Sequence, residues 1–411
     1  MLTDLPHKEG KELPQGWRWV ALGDVCDIVT GRTPRRDTPA YWNGTLPWAT
    51  ISDLNNETVK DTKEGITEIA TQEANMRLIP KGTLLFSFKL TIGKMAFAGT
   101  DLYTNEAIAA LFPKDSSLDT KFLQFSLKFI DPSSGSSHAV KGKTLNRNGL
   151  REIRIPLPPL PEQKRIAATL TEKLAAVEQA RKASETRLEA ARALPAAYLR
   201  EVLEAKGKTL PDGWRWVALG DVCTVNPRRP VIERDDSELT AFVPMEAIDA
   251  VTGSMDSSNK RPYIDVKKGY TYFEEGDVVF SKITPCMQNG KHAIACNLID
   301  GMAFGTTEFH VVRPTSDIIA DWIHLYLRQP EVLHDAEQHF TGAVGQRRVP
   351  SSFLEELEIP LPPLHEQKQI AADLTGKFAN VEQIKDTATE QSSAIESLPA
   401  SLLRQAFSGA L

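Results

Sequence analysis

LPQGWRWVALGDVC at residues 13–26 returns as LPDGWRWVALGDVC at residues 210–223, broken only where Gln15 faces Asp212. A second block does the same: IPLPPLPEQKRIAATLTEKLAAVEQ (155–179) recurs as IPLPPLHEQKQIAADLTGKFANVEQ (359–383). Between these blocks, stretches 27–154 and 224–358 share little obvious similarity. One scaffold has been duplicated around two divergent inserts. Like frames holding unlike inserts suggest two different readings of one kind of target.

Each frame opens on Trp-Arg-Trp-Val-Ala-Leu, whose alternation predicts a short strand entering a core. In the first insert GTLLFSF (82–88) and KMAFAG (94–99) predict buried strands, and the second insert has GDVVFSK (276–282) and KHAIAC (291–296) in the same order. Phe86-Ser87 and Phe280-Ser281 are expected at equivalent strand positions. LDTKFLQFSLKFI (118–130) and IADWIHLYLRQPEVL (319–333) each predict a helix, so each unit is α+β. Pro156, Pro158, Pro159, Pro360, Pro362 and Pro363 then forbid helix and hold the chain extended.

The stretch after each proline block is helical. Ile166, Leu170, Leu174, Val177 and Leu188 fall on one apolar seam, and Ile370, Leu374, Phe378, Val381 and Ile395 on its counterpart. This 3-4 spacing is that of a coiled coil. Each helix has a single apolar face that needs a partner, so the two are expected to pair, in antiparallel sense. Arg181 and Lys385 interrupt both seams at one matched position, which predicts a wetter middle. Pro195 and Pro399 also match, each expected to kink its helix or start a new one. The expected fold is thus two mixed α/β globular domains, 1–159 and 208–363, separated by a pair of long antiparallel coiled-coil helices, 160–207 and 364–411, with a pseudo-twofold internal repeat.

At 411 residues the chain exceeds one ordinary core, in keeping with two domains. It has no apolar run long enough to span a bilayer, and MLTDLPHKEGKELP lacks the basic start and apolar centre of a secretory signal, so a cytoplasmic protein without membrane partners is expected. The net charge of -6 argues against nonspecific nucleic-acid binding by the whole surface, though not against a basic groove. Between Lys128 and Arg154 positive charge is concentrated, with Lys141, Lys143, Arg147 and Arg151 opposed only by Asp131 and Glu152. Cys26 and Cys223 hold one matched frame position and read as buried thiols. Cys286 and Cys296 lack the paired spacing of a zinc site, and no metal is expected.

Catalytic signatures are missing. GSSHAVKGKT (135–144) departs from a phosphate-binding loop in spacing, and Asn226-Pro227-Arg228 departs from the Asn-Pro-Pro-aromatic element of adenine methyltransferases. His138, His292, His310, His324, His334 and His339 are scattered without metal or carboxylate context. The chain is expected to bind rather than catalyse. Its candidates are basic, amide-bearing loops: Arg32, Thr33, Arg35, Arg36 and Asn43 in TGRTPRRDTPAYWNGTLPW (30–48); Lys89 and Lys94; and Lys141, Lys143, Asn146 and Arg147 in KGKTLNRNGL (141–150). The second unit offers Asn226, Arg228 and Arg229; Lys282, Gln288 and Lys291; and Gln346, Arg347 and Arg348 in GAVGQRRVPSSF (342–353). Cationic side chains suit phosphates, and amides and guanidinium groups suit base edges. Trp17, Trp19, Trp214 and Trp216 recur identically and read as core residues of the frame.

LPxGWxWVxLGDV opening each half, IPLPPLxEQKxIAxxL closing each globular unit, the long helix after it and the terminal LLRQAFSGAL together resemble the specificity subunit of type I DNA restriction-modification enzymes. The resemblance implies two target-recognition domains, at roughly 13–155 and 210–359, each reading one half of a split, asymmetric site in double-stranded DNA. It implies no catalytic activity and no cofactor in this chain. Two modification subunits would bind it and use S-adenosylmethionine to methylate adenine N6; two restriction subunits, motor nucleases driven by ATP with Mg, can join them. The helices would set the spacer between half-sites, about 50 Å for Glu162 to Leu194 at 1.5 Å per residue, or roughly 15 base pairs. The competing reading is a repeat scaffold that binds protein partners through its coiled coil and no DNA.

Overall fold

In the computed structural model the fold is described for residues 13–55, 57–130, 137–139, 142–203, 210–342 and 347–411. One compact unit runs to Glu185 and takes in Gln391–Leu411; the other is Thr186–Glu390.

In the first unit the two repeated blocks are the two strands of one ribbon. Arg18–Ala21 pairs antiparallel with Arg154–Leu157, Trp19 opposite Pro156 and Val20 opposite Ile155. A two-stranded ribbon is all edge, which is where a strand accepts prolines. The chain turns once through Leu22–Val25, its Leu22 amide donating to Ile153 O at 2.7 Å, and enters a five-stranded sheet as Cys26–Thr30. That sheet has the order Cys26–Thr30, Ile108–Pro113, Leu84–Ser87, Met95–Ala98, Thr58–Val59. A three-stranded sheet of Glu64–Ile66, Trp42–Ala49 and Tyr103–Thr104 lies beside it in the chain.

The second unit repeats the frame. Arg215–Ala218 pairs with Glu358–Leu361, Trp216 opposite Pro360, and Leu219 N donates to Leu357 O at 2.9 Å. Its first sheet runs Cys223–Val225, Phe309–Pro314, Val278–Ser281, His292–Ile294. Register makes the equivalence strict: Cys26 opposes Pro113 as Cys223 opposes Pro314, and Ser87 opposes Ile108 as Ser281 opposes Phe309. Phe86-Ser87 and Phe280-Ser281 therefore hold the same place, as their matching order in the sequence implied. The second sheet, Lys260–Pro262, Leu239–Val243, Met302–Gly305, Thr271–Glu274, is the part that differs most.

Thr120–Ile130 is a helix, with Asp119 Oδ1 accepting from Phe122 N at 2.8 Å at its start. Its counterpart is two helices instead of one, Ala320–Leu327 and Pro330–Gln338. Apolar spacing runs unbroken across the junction, but Pro330 has no amide to continue the ladder and pushes Gln329 to ψ 130°. Trp17 packs edge-on against Phe122 and Phe407, and Trp214 against Trp322. Trp19, expected in the core, is instead 38 % exposed, because the ribbon that carries it is only two strands wide.

The long helices are Leu160–Leu203 and Leu364–Ser408; each continues in helical structure through its proline, Pro195 or Pro399. Within the first unit Ile166 and Leu170 are fully buried among Phe86, Phe122 and Leu150, and the end of the other helix, Ala406 and Phe407, completes that core. Arg165 Nη2 donates to Leu411 O at 2.9 Å, so the beginning of one helix lies beside the end of the other, in antiparallel sense. The second unit is built likewise from Leu374, Ala371 and the half-buried Ile370 and Phe378 with Leu199 and Leu203, around Trp322. Each apolar seam thus serves its own globular domain and the opposite helix at once. Along the middle, Val177, Leu188 and Ile395 are half-buried and Val381, Ala191 and Ala388 buried, while Arg181 and Lys385 pair with Glu178 and Glu382 of their own helices. None of the described helices is long and apolar enough to cross a membrane.

Candidate functional site

The strand that leaves each frame ends at a cleft. In the first unit Cys26–Thr30 runs out into Gly31 and Arg32, which line a cleft of about 260 Å³ together with Thr30, Arg77, Arg147 and Arg151. In the second unit the chain continues from Cys223–Val225 through Asn226 to Arg229, which lines a cleft of about 270 Å³ with Lys267, Tyr270 and Tyr272. Since Cys26 and Cys223 are matched in register, Val29 and Asn226, each three positions beyond its cysteine, are equivalent, and both line their clefts. Two unlike clefts therefore open at one address of the repeated frame.

Backbone geometry holds the first cleft open. Gly31 N donates to Ile108 O at 3.0 Å and Arg32 N to Thr104 O at 2.9 Å. A side chain at position 31 would place its Cβ 2.1 Å from Thr104 O, so only glycine allows this approach. Arg32 Nη1 donates to Ala74 O at 3.0 Å, and Arg147 Nη2 donates to Thr30 Oγ1. Asn146 caps the short helix Arg147–Glu152, accepting from Gly149 N at 2.7 Å, and one helical turn then sets Arg151 behind Arg147. Arg77 lies over Phe112, 5.0 Å from the ring centre. No acid lines this cleft, and none of its four arginines is ion-paired with a described residue.

The second cleft has its cations tied inward. Arg229 Nη1 donates to Lys267 O, Lys267 Nζ pairs with Asp236, and Tyr272 donates to Glu274 Oε1 at 2.9 Å. Burial, then the bond to Glu274, pushes the Tyr272 hydroxyl up to about 12, so it remains a donor. Tyr270 is 38 % exposed and meets Phe242 edge-on. Asn226 sits at φ 52°, and its Oδ1 accepts from Val311 N at 3.0 Å, which ties the side chain to the sheet.

The other sequence candidates scatter. Thr33 donates to Glu106, Arg35 pairs with Asp37 at 3.2 Å, and Arg36 pairs with Glu64 while its guanidinium lies 3.9 Å from the Trp42 ring centre. Asn43 is exposed at φ 61°. Lys94 donates to Asn55 at 3.0 Å, and Lys89 heads the short strand that pairs with Gly142–Thr144. Lys143 stands opposite Leu90 in that pairing, and Lys141 and Gln346 lie outside the described residues. In the second unit Lys291 caps Met245 O and Ile248 O at 2.9 Å each, and Gln288 donates to Glu337 at 2.6 Å. Arg348 grips Glu308 through two bonds, 2.6 and 2.8 Å, and holds that carboxyl below its usual range. Lys282 is lowered by burial. Arg228 and Arg347 stay exposed. Arg77, Lys267, Tyr270 and Tyr272 are functional candidates that neither repeat nor motif marks; Arg151 carried a signal, standing four residues after Arg147 in the basic stretch.

The buried thiols are quiet. Burial pushes both Cys26 and Cys223 up to about 12, which leaves them as unreactive thiols, and all four cysteines are free.

With two copies of one frame presenting unlike polar clefts, the architecture is that of a paired recognition protein. The chain belongs to the type I restriction modification DNA specificity domain family, whose model matches it twice, at residues 14–185 and 211–390. It is 39 % identical over 201 residues to the type I restriction enzyme EcoAI specificity subunit of Escherichia coli, an alignment covering 49 % of this chain and 34 % of that one. Identity to the MjaIX specificity subunit of Methanocaldococcus jannaschii is 28 % over 307 residues, 68 % of this chain and 69 % of the relative. The chain thus spans about a third of the length of the first Escherichia coli relatives it matches, 34 % and 32 %. The fold is shared with the HsdS subunit from Thermoanaerobacter tengcongensis, at TM-score 0.65 and 22 % identity over 98 % of this chain and 99 % of that one. A chain from a structure of the type I R-M system, described for complex assembly and conformational transition, aligns at TM-score 0.71 and 22 % identity, covering 98 % of this chain and 100 % of that one.

Proposed function

We propose that this chain is the DNA-recognition subunit of a type I restriction-modification complex, each unit reading one half of a bipartite, asymmetric site in double-stranded DNA. The observation that carries the reading is the pair of chemically unlike clefts at one register position of a duplicated frame. Family membership supports it independently. Equivalent placement lets both units meet duplex in the same way, and unlike linings make the two half-sites differ.

The chain has no catalytic role and binds no cofactor in this proposal. Adenine methylation belongs to two modification subunits holding S-adenosylmethionine, seated on the long helices, and cleavage to two restriction subunits using ATP and Mg. The helices set the number of unread base pairs between the half-sites, and the complex works in the cytoplasm.

Mapping N6-methyladenine in cells with and without this gene gives the target directly. Replacing residues 27–154 by the insert of another such subunit should then change one half of the methylated sequence and leave the other half as it was. A swap that altered both halves together, or a methylation pattern indifferent to the gene, would overturn the proposal.

A further inference from the structure

We infer that the four-arginine cleft of the first unit seats a backbone phosphate of the duplex, and that the matched cleft of the second unit does not. The inference rests on the DNA-binding function proposed above and adds how the charge is divided. Arg32, Arg77, Arg147 and Arg151 converge on one small opening from two loops and a helix, with no acid in its lining. Like charges gathered without a counter-ion raise each other's cost, and a bound anion relieves all of them at once. The class of anion is set by the lining. A base stacks best on an aromatic face, and this lining has none; beside Ile28, Val29 and Met76 its polar groups are four guanidinium forks with Thr30, Thr104 and Asn75, a set dominated by the donors that suit phosphate oxygens.

The second cleft is the internal control. It holds two cations, Arg229 and Lys267, against four in the first; Lys267 is paired with Asp236, which leaves only Arg229, bonded like Arg32 to a backbone carbonyl, without a carboxylate partner among the described residues. Tyr270 and Tyr272 supply aromatic faces and hydroxyls in place of free cations. Counter-ion release on binding therefore comes from the first unit far more than from the second.

The test measures affinity of the full chain, co-expressed with its modification subunits, for a target duplex across a series of salt concentrations. For R77Q/R151Q the slope of log affinity against log salt should flatten by about one, the contribution of the one phosphate that the cleft neutralises, and R77K/R151K should restore it. Y270A should leave the slope unchanged. A single neutral methylphosphonate, scanned along the first half-site, should cost the wild type about tenfold at one linkage and cost R77Q/R151Q nothing there. An unchanged slope in R77Q/R151Q, or a loss confined to duplexes with one particular base pair, overturns the inference and makes these arginines either idle or base readers. Failure of the wild type to bind any duplex overturns the proposed function itself. Should inorganic phosphate alone then raise the unfolding temperature of the wild type and not of R77Q/R151Q, the cleft takes free phosphate and the inference falls as well.

Discussion

Gln163 and Gln367 make the same three hydrogen bonds from the same place in the two frames. Gln163 Oε1 accepts from Asp119 N at 2.9 Å while its amide donates to Ser117 O and Pro158 O, both at 2.9 Å. Gln367 Oε1 accepts from Ile319 N at 3.1 Å while its amide donates to Asp317 O and Pro362 O, at 3.0 and 2.9 Å. Both side chains are buried, 1 % and 0 % exposed. Each therefore latches the first turn of a long helix to the loop ahead of a domain helix. Replacing either glutamine by leucine keeps the volume and strands one amide and two carbonyls, at about 1–3 kcal/mol for each group left unsatisfied. Gln163→Leu should loosen the first unit and Gln367→Leu the second, read by hydrogen exchange at Phe122 and Trp322 amides respectively. Uniform loss of protection in both units from either variant would refute the separate latches.

This pair also shows what the sequence discloses. The recurrence of EQK in both blocks marks a residue with a fixed task, and the fold is legible because the opening and closing blocks are two strands of one ribbon. The site is less legible. Arg147 reaches Thr30 across 117 residues, and no periodicity along one element says which distant loop lies opposite it. Arg77 follows the six-residue helix Glu68–Glu73, whose counterpart in the second insert is the four-residue Tyr263–Val266 ahead of Lys267, with no likeness in sequence. Lys291 belongs to the basic candidates by residue type, yet its ammonium is spent on two backbone carbonyls inside its own unit.

Phe407 belongs to the core of the unit from which it is most distant in sequence. It stacks on Phe129 at 4.5 Å with planes 13° apart, meets Phe122 at 5.6 Å and Trp17 at 6.1 Å, and is 5 % exposed. Phe407→Ala should cost the first unit about 3–5 kcal/mol, the usual loss for a buried aromatic ring. Calorimetry that shows one transition shifting down by several degrees, with the other in place, is the expected result. No shift would mean that the chain's last helical turn is dispensable to that core.

Gly31 controls the first cleft. Alanine there brings Cβ within 2.1 Å of Thr104 O and 2.4 Å of Asn105 O, both backbone atoms that cannot swing aside. The strand end must move, which costs about 1–3 kcal/mol as overpacking and displaces Arg32, the next residue. Gly31→Ala should weaken duplex binding in the first half-site while sparing recognition in the second, as read by footprinting on each half. Wild-type footprints on both halves from a folded Gly31→Ala protein would show that the cleft tolerates the shift and that duplex binding does not depend on its geometry.

His324 and His292 make the second unit acid-sensitive. Their rings meet edge-on at 4.9 Å beside Arg328; His292 is buried and His324 half-buried, with Asp249 and Glu382 the acids that act on Arg328. Burial first, then the Arg328 charge, pushes His324 down to about 3 from its ordinary 6.5, and burial with the neighbouring His324 and Arg328 lowers His292 in the same direction. Between those two values the unfolded chain binds the proton that the folded chain refuses, so stability is fully present above about pH 6.5 and declines as pH falls toward 3. His324 alone should remove about 2 kcal/mol between pH 7 and pH 5, a window chosen to lie above most carboxylate titrations. Urea unfolding at the two pH values should show the drop for the wild type and a smaller one for His324→Gln, which has no proton to take up. Equal midpoints at pH 7 and pH 5 in the wild type would mean that protonation is met by a local opening of the Asp249–Gly253 turn, against which Arg328 packs, rather than by unfolding of the unit.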